Sequence, residues 1–270
     1  MPLNREALRR SLPPPWTQIE VVDRLASTNR AMLERPDTWP PNSVLVAEHQ
    51  VAGRGRLNRA WVTPARSALT FSVSLRPTPP AATWGWLPLL AGVALRDSVV
   101  SATGITAALK WPNDLLLGPD GRKAAGILTQ AVGDTVVLGI GLNVSTTADE
   151  LPGPTATSLE LAGAVALDRT ALLLTVLTQL GQRYLSWQSA DGNAKACELA
   201  LDYRTRCLTL GQWIIVTGVG RAERHGRAVA IDGEGRLVIE VDGRPEIVAA
   251  GDVVHVRSQP DVSAKPGHSG

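Results

Sequence analysis

The sequence predicts an α+β protein in two parts: a mixed sheet flanked by helices up to about residue 207, and a small β-barrel after it. In the first part, helices and hairpins interleave irregularly, which argues against a regular doubly wound sheet. In the second part, five short strands follow one another between turns such as Asp232-Gly233 and Asp242-Gly243, a spacing typical of a small barrel. Hydrophobic residues are 44% and charged residues 19% of the 270, so a packed core is expected.

Local sequence patterns predict each helix and strand of the first part. Residues 1–17 are polar and include Pro13-Pro14-Pro15, which predicts a flexible arm. Apolar or alternating runs predict strands at Ile19 to Asp23, Val44 to Glu48, Leu69 to Arg76, Ala107 to Trp111, Asp114 to Leu117, Lys123 to Ala131 and Thr135 to Val144. Capping residues or helical spacing predict helices from Ser27 to Leu33, Trp84 to Val100, Leu167 to Trp187 with Asp168 as its cap, and Asn193 to Arg206.

The predicted barrel occupies residues 208–257, after a larger domain at 18–207. Its strands are expected at Trp213 to Thr217, Gly226 to Ile231, Arg236 to Val241, Glu246 to Ala249 and Val253 to Val256. Residues 258–270 are rich in Pro, Ser and Gly and are expected to be a disordered tail.

Composition narrows the function classes. The formal net charge of +2 is too small to favour a dedicated nucleic-acid binder. The chain has neither a signal-peptide pattern nor an apolar run long enough for a membrane span, which predicts a cytoplasmic protein without a membrane partner. Cys197 and Cys207 have no metal-ligand spacing and are expected to be thiols of a reduced compartment.

A Gly/Arg segment follows the second predicted strand. Gly53-Arg54-Gly55-Arg56 and Arg59 come before Trp61, which suits a mobile loop closing on phosphate, because glycine lets the backbone approach and arginine offers bidentate donors. The Gly-Lys-Ser/Thr ending of a P-loop is missing. In isolation, a solvated basic turn explains this segment at least as well.

Four further motifs carry polar groups at element ends, and each has a purely structural alternative. Lys110-Trp111-Pro112-Asn113-Asp114 is either a nucleotide or metal site or an ordinary turn with a core tryptophan. Arg122-Lys123-Ala124-Ala125-Gly126 places a lysine at the mouth of an apolar strand, which is also where snorkelling lysines occur. Gly139-Ile140-Gly141-Leu142-Asn143 allows close approach to the backbone, and Ser27-Thr28-Asn29 suits a helix cap as well as an amide ligand.

The joint order of these motifs is far more specific than any one of them. Ser-Thr-Asn, then Gln50 before Gly-Arg-Gly-Arg, then Lys-Trp-Pro-Asn-Asp, Arg-Lys-x-Ala-Gly-Ile-Leu and Gly-x-Gly-x-Asn resemble the biotin–protein ligase family. The resemblance covers roughly residues 18–258. It implies a mixed sheet flanked by helices, related to class II aminoacyl-tRNA synthetases, plus an SH3-like C-terminal barrel.

The resemblance also implies an activity and a set of site residues. Biotin and ATP would form biotinyl-5′-AMP with Mg²⁺, and the biotin would pass to a lysine of a biotin carboxyl carrier protein or domain. The chemistry would rest on Lys123, Arg54, Arg56 and Asp114, and Asp114 is the candidate Mg²⁺ ligand. Biotin would contact Ser27, Thr28, Asn29, Gln50, Gly53, Arg54, Arg56, Trp61, Lys123 and Gly126. The nucleotide would contact Arg56, Arg59, Trp61, Lys110, Asn113 and Asn143, and Trp111 would help to form the wall of these pockets.

Two departures from the family pattern matter. Asn58 stands where the family usually has glycine. Asparagine tolerates positive φ better than most residues, so we expect the loop to keep its conformation and to be stiffer. Only about 18 residues precede the first predicted strand, too few for the helix-turn-helix of some family members. We therefore expect no sequence-specific DNA binding, which tight, sequence-dependent retention in a gel-shift assay would contradict. The family includes monomers and dimers, so either state is compatible with the sequence.

Three alternatives compete with this interpretation. A lipoate–protein ligase shares the fold and the type of chemistry, although the Gly-Arg-Gly-Arg loop with Trp61 is typical of the biotin branch. An RNA-binding module is disfavoured by an aromatic content of 4% and the small net charge. An inactive, regulatory homologue is disfavoured by the presence of Lys123 and all the loop arginines.

Overall fold

A seven-stranded mixed sheet forms the centre of the larger part. In this computed structural model, which describes residues 1–218, 221–249 and 251–255, the strands are β1 (Gln18–Val22), β2 (Ser43–Ala47), β3 (Ala68–Leu75), β4 (Ala107–Lys110), β5 (Asp114–Leu117), β6 (Arg122–Val132) and β7 (Thr135–Asn143). Their spatial order is β1-β2-β3-β7-β6-β5-β4. Only the β1–β2 pair is parallel, and the other pairs are antiparallel.

Helices cover both faces of this sheet. They are α1 (Arg5–Arg10), α2 (Thr28–Glu34), α3 (Trp86–Thr103), α4 (Arg169–Ser189) and α5 (Leu199–Arg206). Helices α3 and α4 pack on each other over one face, where the main hydrophobic core lies. Helix α2 packs on β2, β3 and β7 through a smaller core of Met32, Leu45 and Val137. Because both faces are covered, every residue of β3 and β7 is buried.

A second, five-stranded antiparallel sheet follows α5. Its strands are β8 (Trp213–Gly218), β9 (Arg221–Ile231), β10 (Leu237–Val241), β11 (Arg244–Val248) and β12 (Asp252–His255), in the order β11-β10-β9-β8-β12. The predicted α+β class, with a mixed sheet followed by a small β domain, is confirmed. The predicted tail at 258–270 lies outside the described residues. No helix in the described part of the chain is both long and apolar enough to cross a bilayer.

The expectation of a flexible N-terminal arm is wrong for most of its length. Asn4 caps α1 by accepting a hydrogen bond from the Ala7 amide, and Leu8 is completely buried. Trp16 is also buried and donates its indole N–H to the Leu177 carbonyl at 2.8 Å. The polar composition and the three prolines did not indicate this docking. It depends on a few apolar side chains whose contacts are distant in sequence.

The docking of α1 gives a stability prediction. Leu8→Ala removes a buried side chain, so we expect it to lower the free energy of unfolding by about 2 kcal/mol or more, while pyrophosphate release is unaffected. Leu201→Ala is the matched control, because Leu201 is 61% exposed and its truncation should change stability by no more than about 0.5 kcal/mol. Urea denaturation of both variants tests this, and equal midpoints would mean that α1 contributes nothing to stability.

Two helix starts differ from those predicted. Ser27 precedes α2, but its side chain makes no capping hydrogen bond. The Gln50 Oε1 atom instead accepts the Thr28 amide at 2.7 Å. The helix predicted from Asn193 begins only at Leu199, because Glu198 has a φ of +62° and interrupts the helical backbone.

The small sheet docks against the larger part through backbone contacts and a half-buried histidine. The Trp86 indole donates to the Gly233 carbonyl at 3.0 Å, and a Cβ at Gly85 would lie 2.2 Å from the Glu234 carbonyl oxygen. On the other side, His255 Nε2 lies 3.0 Å from the hydroxyl of Thr209. The turn and the histidine therefore hold the two sheets together at two points.

The half-buried His255 predicts a pH dependence of stability. Burial, with a smaller contribution from the nearby Lys110 charge, lowers the pKa of His255 from 6.5 to about 4. The unfolded chain therefore binds the proton more readily, and the stability contributed by neutral His255, present above pH 6.5, is lost as pH falls from 6.5 toward 4. We expect the urea midpoint to fall less between pH 7.5 and pH 5 in His255→Gln than in the parent protein. His225→Gln, at an exposed histidine, should behave like the parent, and the same fall in all three proteins would exclude this role.

Candidate active site

A cavity of about 570 Å³ opens between α2, the loop after β2 and strands β5, β6 and β7. Most of the residues singled out in the sequence lie on its wall, namely Ser27, Thr28, Asn29, Gln50, Arg54, Arg56, Arg59, Trp61, Asn113, Asp114, Lys123, Gly126 and Asn143. Gly53 and Lys110 are not on the wall. Four cationic side chains on this wall face two carboxylates, Asp114 and Glu150, so the cavity is suited to anionic ligands.

Buried polar side chains form one end of the cavity. The Thr28 amide and hydroxyl lie 2.7 and 3.1 Å from Gln50 Oε1. The Asn29 amide nitrogen donates to the Leu128 carbonyl at 3.1 Å and to Gln130 Oε1 at 3.0 Å. Buried polar groups usually need hydrogen-bond partners, and this cluster supplies them internally, while the Ser27 hydroxyl and the Gln50 amide nitrogen make no hydrogen bond within the described chain.

An ion pair lies in the middle of the cavity. The register of the β5–β6 pair shifts between Leu115 and Leu116, and this bulge lets the Lys123 ammonium reach Asp114 Oδ1 at 2.6 Å. The lysine side chain is 38% exposed and the aspartate side chain 18%. Lys123 thus presents its charge to the cavity while a carboxylate fixes its position.

Glycines make room for the larger side chains of the site. A Cβ at Gly141 would lie 2.5 Å from two indole atoms of Trp61, and a Cβ at Gly126 would lie 3.3 Å from the same ring. A Cβ at Gly139 would lie 2.0 Å from Asn29 Oδ1. The close approach predicted for the Gly-x-Gly motif is therefore made by Trp61 and Asn29, two residues of the protein itself.

The Gly/Arg loop folds back on itself before it reaches the cavity. Trp61 donates its amide to the Gly53 carbonyl at 2.9 Å, and Gly55 donates to the Arg59 carbonyl at 2.7 Å. At its tip, Leu57 has a φ of +52° and Asn58 a φ of +58°. Asn58 therefore adopts the left-handed conformation in which glycine is usually favoured and which asparagine tolerates.

Two of the loop arginines, Arg54 and Arg56, are held by backbone oxygens. Arg54 Nη1 donates to the Asn58 carbonyl at 3.2 Å within the loop. Arg56 Nη2 donates to the Gly251 carbonyl at 3.3 Å, which links the loop to the small sheet. The sequence gives no local signal for this second contact, because the two residues are far apart along the chain.

Two asparagines of the predicted nucleotide site also support the backbone. The Asn113 side chain donates to the Ile127 carbonyl at 3.0 Å, and the Asn143 side chain donates to the Thr157 carbonyl at 3.0 Å. Their amide nitrogens thus fix the turn after β4 and the segment after β7. Each amide nitrogen has a second proton, so a ligand in the cavity can meet these side chains through that N–H or through the carbonyl oxygen.

Lys110 and Trp111 lie away from the cavity, next to the small sheet. Trp111 is 2% exposed and donates its amide to the Thr209 hydroxyl at 3.0 Å. Lys110 lies close enough to His255 to affect its pKa. The expectation that Trp111 forms part of the pocket wall is wrong, because its ring packs in the core, as in the structural alternative for this motif.

Some residues on or behind the cavity wall were not identified from the sequence. Ser72 lies 2.6 Å from both Thr28 Oγ1 and Asn29 Oδ1, yet it occupies an ordinary alternating strand. The segment after β7 contributes Glu150 and Thr155 to the wall. Backbone hydrogen bonds on both sides of Lys123, to Thr155 and Thr157, place that segment, and its position directly after the Gly-x-Gly-x-Asn strand was the only available signal.

The residues present do not form a resident metal site. In the described ranges, no three His, Cys, Asp or Glu side chains converge as candidate ligands. The Asp114 carboxylate is already paired with the Lys123 ammonium at 2.6 Å. A Mg²⁺ ion held only by protein side chains is thus not supported by this geometry.

Comparison with known proteins shows the family of the chain. Residues 21–146 match the biotin/lipoate A/B protein ligase family, and residues 209–256 match the biotin protein ligase C-terminal domain. The chain is 42% identical over 248 residues to a biotin–[acetyl-CoA-carboxylase] ligase of Mycobacterium tuberculosis, covering 90% of both chains. It is 32% identical to the Paracoccus denitrificans ligase of the same name, over 86% of this chain and 98% of the relative.

A solved structure extends the likeness to the fold. The biotin protein ligase of Aquifex aeolicus in complex with biotin and ATP superposes with a TM-score of 0.75 at 26% identity, covering 90% of this chain and 100% of that one. The relatives and the solved structure span both sheets of the protein. On this sequence and structural similarity, the chain belongs to the biotin–protein ligase family.

Proposed function

We propose that the protein is an ATP-dependent ligase that forms biotinyl-5′-AMP and transfers biotin to the acceptor lysine of a biotin carboxyl carrier domain. The observation that carries this proposal is the single cavity in which a buried polar end, Trp61 and a cationic group built on Lys123 meet. Its two ends suit the two ends of biotin, a polar ureido ring and a carboxylate.

The first half-reaction joins two anions. A biotin carboxylate oxygen attacks the α-phosphorus of ATP, the bond from that phosphorus to the bridging oxygen breaks, and pyrophosphate leaves. Fixed positive charge must offset the repulsion and stabilise the charge that develops in the transition state. Lys123 supplies this charge between carboxylate and α-phosphate, and Arg54, Arg56 and Arg59 supply it along the phosphates from the loop.

The second half-reaction consumes the mixed anhydride. The neutral amine of the carrier lysine attacks the acyl carbon, an amide bond forms, and AMP leaves. Water would destroy the anhydride, so a loop over the cavity protects it. The hydrogen-bonded loop from Gly53 to Trp61 is placed for this purpose, and Asp114 keeps Lys123 directed at the acyl phosphate.

The remaining site residues follow the shape of the cavity. Ser27, Thr28, Asn29 and Gln50 form the end that receives the ureido ring, with Asn29 as their support. Gly126 and Trp61 border the ring and chain of biotin, while Asn113 and Asn143 lie toward the nucleotide. Gly53 is not on the cavity wall, so its predicted contact with biotin requires a movement of the loop. Lys110 is not on the cavity wall, so a nucleotide contact from it requires a rearrangement on binding.

Mg²⁺ enters this scheme with ATP. Magnesium keeps most of its water and binds substrate phosphates together with at most one or two carboxylates, and it neutralises phosphate charge. The Asp114 carboxylate would have to leave Lys123 to act as a ligand, so we assign Asp114 to the lysine and the ion to the phosphates. The partner is the carrier domain of a biotin-dependent carboxylase, and a cytoplasmic location and a monomer or homodimer stay predictions.

Pyrophosphate release tests the proposal directly. The protein is incubated with ATP, Mg²⁺ and biotin, with lipoate in a parallel reaction. Release with biotin alone, followed by labelling of a carrier domain, is the expected result. Release with lipoate alone would move the chain to the lipoate branch of the family, and no release with either would leave a binding or regulatory homologue.

A further inference from the structure

Ser72 is a completely buried hydroxyl that has no place in the scheme above. It lies on β3, behind the polar end of the cavity, and its Oγ is 2.6 Å from Thr28 Oγ1 and 2.6 Å from Asn29 Oδ1. Both distances are short for hydrogen bonds between uncharged groups. Ser72 thus connects the two residues that begin α2.

The orientation of Asn29 is fixed by its partners. Its amide nitrogen faces two acceptors, the Leu128 carbonyl and Gln130 Oε1, so both amide protons are used. Its oxygen therefore points to Ser72 and can only accept. This arrangement fits because residue 139 is glycine and leaves space for Asn29 Oδ1.

The proton order follows from this orientation. Because Asn29 Oδ1 can only accept, the one hydroxyl proton of Ser72 goes to Asn29. The 2.6 Å contact between Ser72 and Thr28 then needs the Thr28 proton. The Ser72 proton therefore lies in the contact with Asn29, and the Thr28 proton lies in the contact with Ser72. No hydroxyl proton remains for the longer 3.1 Å contact between Thr28 Oγ1 and Gln50 Oε1.

The consequence concerns the ligand. With its proton directed into the protein, the Thr28 hydroxyl presents only lone pairs to the cavity and meets a ligand as an acceptor. We propose that Ser72 is a positioning residue that makes Thr28 an acceptor for a urea-type N–H of the substrate. This inference rests on the proposed function and goes beyond it by naming the residue that sets the direction of the Thr28 hydroxyl.

Ser74 provides a matched control on the same strand. It lies two residues along β3, so its side chain is on the same face, and it is 1% exposed. Its side chain makes no hydrogen bond within the described chain, and it is not on the cavity wall. Ser74→Ala removes a buried serine hydroxyl from the same strand and leaves the hydrogen bonds among Thr28, Ser72 and Asn29 unchanged.

The test is steady-state pyrophosphate release by the full-length protein. We expect Ser72→Ala to raise the KM for biotin about tenfold, as for loss of one oriented hydrogen bond, with kcat and the KM for ATP changed less than twofold. Ser74→Ala should leave all three unchanged. Desthiobiotin, which keeps both urea N–H groups, should lose affinity by the same factor as biotin.

Several results would overturn the inference while leaving the ligase function intact. One is an unchanged KM for biotin in Ser72→Ala. Another is a fall in kcat and melting temperature without a selective rise in KM, which indicates a purely structural role. If Ser72→Ala does not fold, Ser72→Cys decides, because the thiol fills the space of the hydroxyl but is a weak hydrogen-bonding group, and a KM rise below twofold there rejects the proposal. Failure of the parent protein to release pyrophosphate would instead reject the function.

Discussion

Lys123→Ala is expected to lower the rate of biotin-dependent pyrophosphate release by at least about 100-fold, the effect typical of removing one preorganised group that stabilises developing charge. The variant loses the ammonium between two reacting anions. It also leaves the Asp114 carboxylate, 2.6 Å from that ammonium in the parent, uncompensated beside the phosphates. Both changes raise the activation barrier of the first half-reaction.

The carboxylate contribution can be separated by a second substitution. In Lys123→Ala with Asp114→Asn, part of the lost rate should return, because the uncompensated negative charge is gone. Residues in contact are expected to be non-additive, so the double variant should be faster than Lys123→Ala alone. Lys195→Ala, at an exposed lysine outside the cavity, is the control. Equal rates in Lys123→Ala and the parent would contradict the role of Lys123.

The elements that could be predicted are those fixed by local patterns. The strands from β3 to β7 lie within two residues of their predicted bounds, because alternation and the Gly133-Asp134 turn are properties of the local sequence. The N-terminal segment and the start of α5 could not be predicted in this way. Leu8 is buried by tertiary contacts, and no local sequence pattern indicates the positive φ of Glu198.

In the candidate site, too, local motifs could be predicted from the sequence and tertiary contacts could not. Motif order identified the residues that the cavity brings together, such as Lys123 and Gln50. It did not identify Ser72, because a serine on an alternating strand carries no signal until its neighbours in space are known. The Lys110–Asp114 motif contains one residue of the site and one residue of the core, and the sequence could not distinguish them. Asp114 lies on the cavity wall, whereas Trp111 is buried in the core.

Gly141→Ala should release the Gly/Arg loop. A Cβ at Gly141 would lie 2.5 Å from the Trp61 indole, and Gly141 pairs with Thr70 on one side and Gly126 on the other, so the strand cannot yield. The indole must leave its position instead. We expect kcat/KM for biotin to fall about tenfold or more, as when positioning is lost, and trypsin to cleave the loop arginines faster.

A cycle of variants decides whether Trp61 is the cause. Trp61→Ala removes the side chain with which the new methyl group collides, so adding Gly141→Ala to it should have little further effect on kcat/KM, as expected for two sites coupled by direct contact. Gly233→Ala is the control for a glycine-to-alanine substitution without a collision, because a Cβ at Gly233 would meet nothing within 4 Å. If the effects of Gly141→Ala and Trp61→Ala were instead additive, the glycine would act through the sheet, and the loop would be held by its own hydrogen bonds alone.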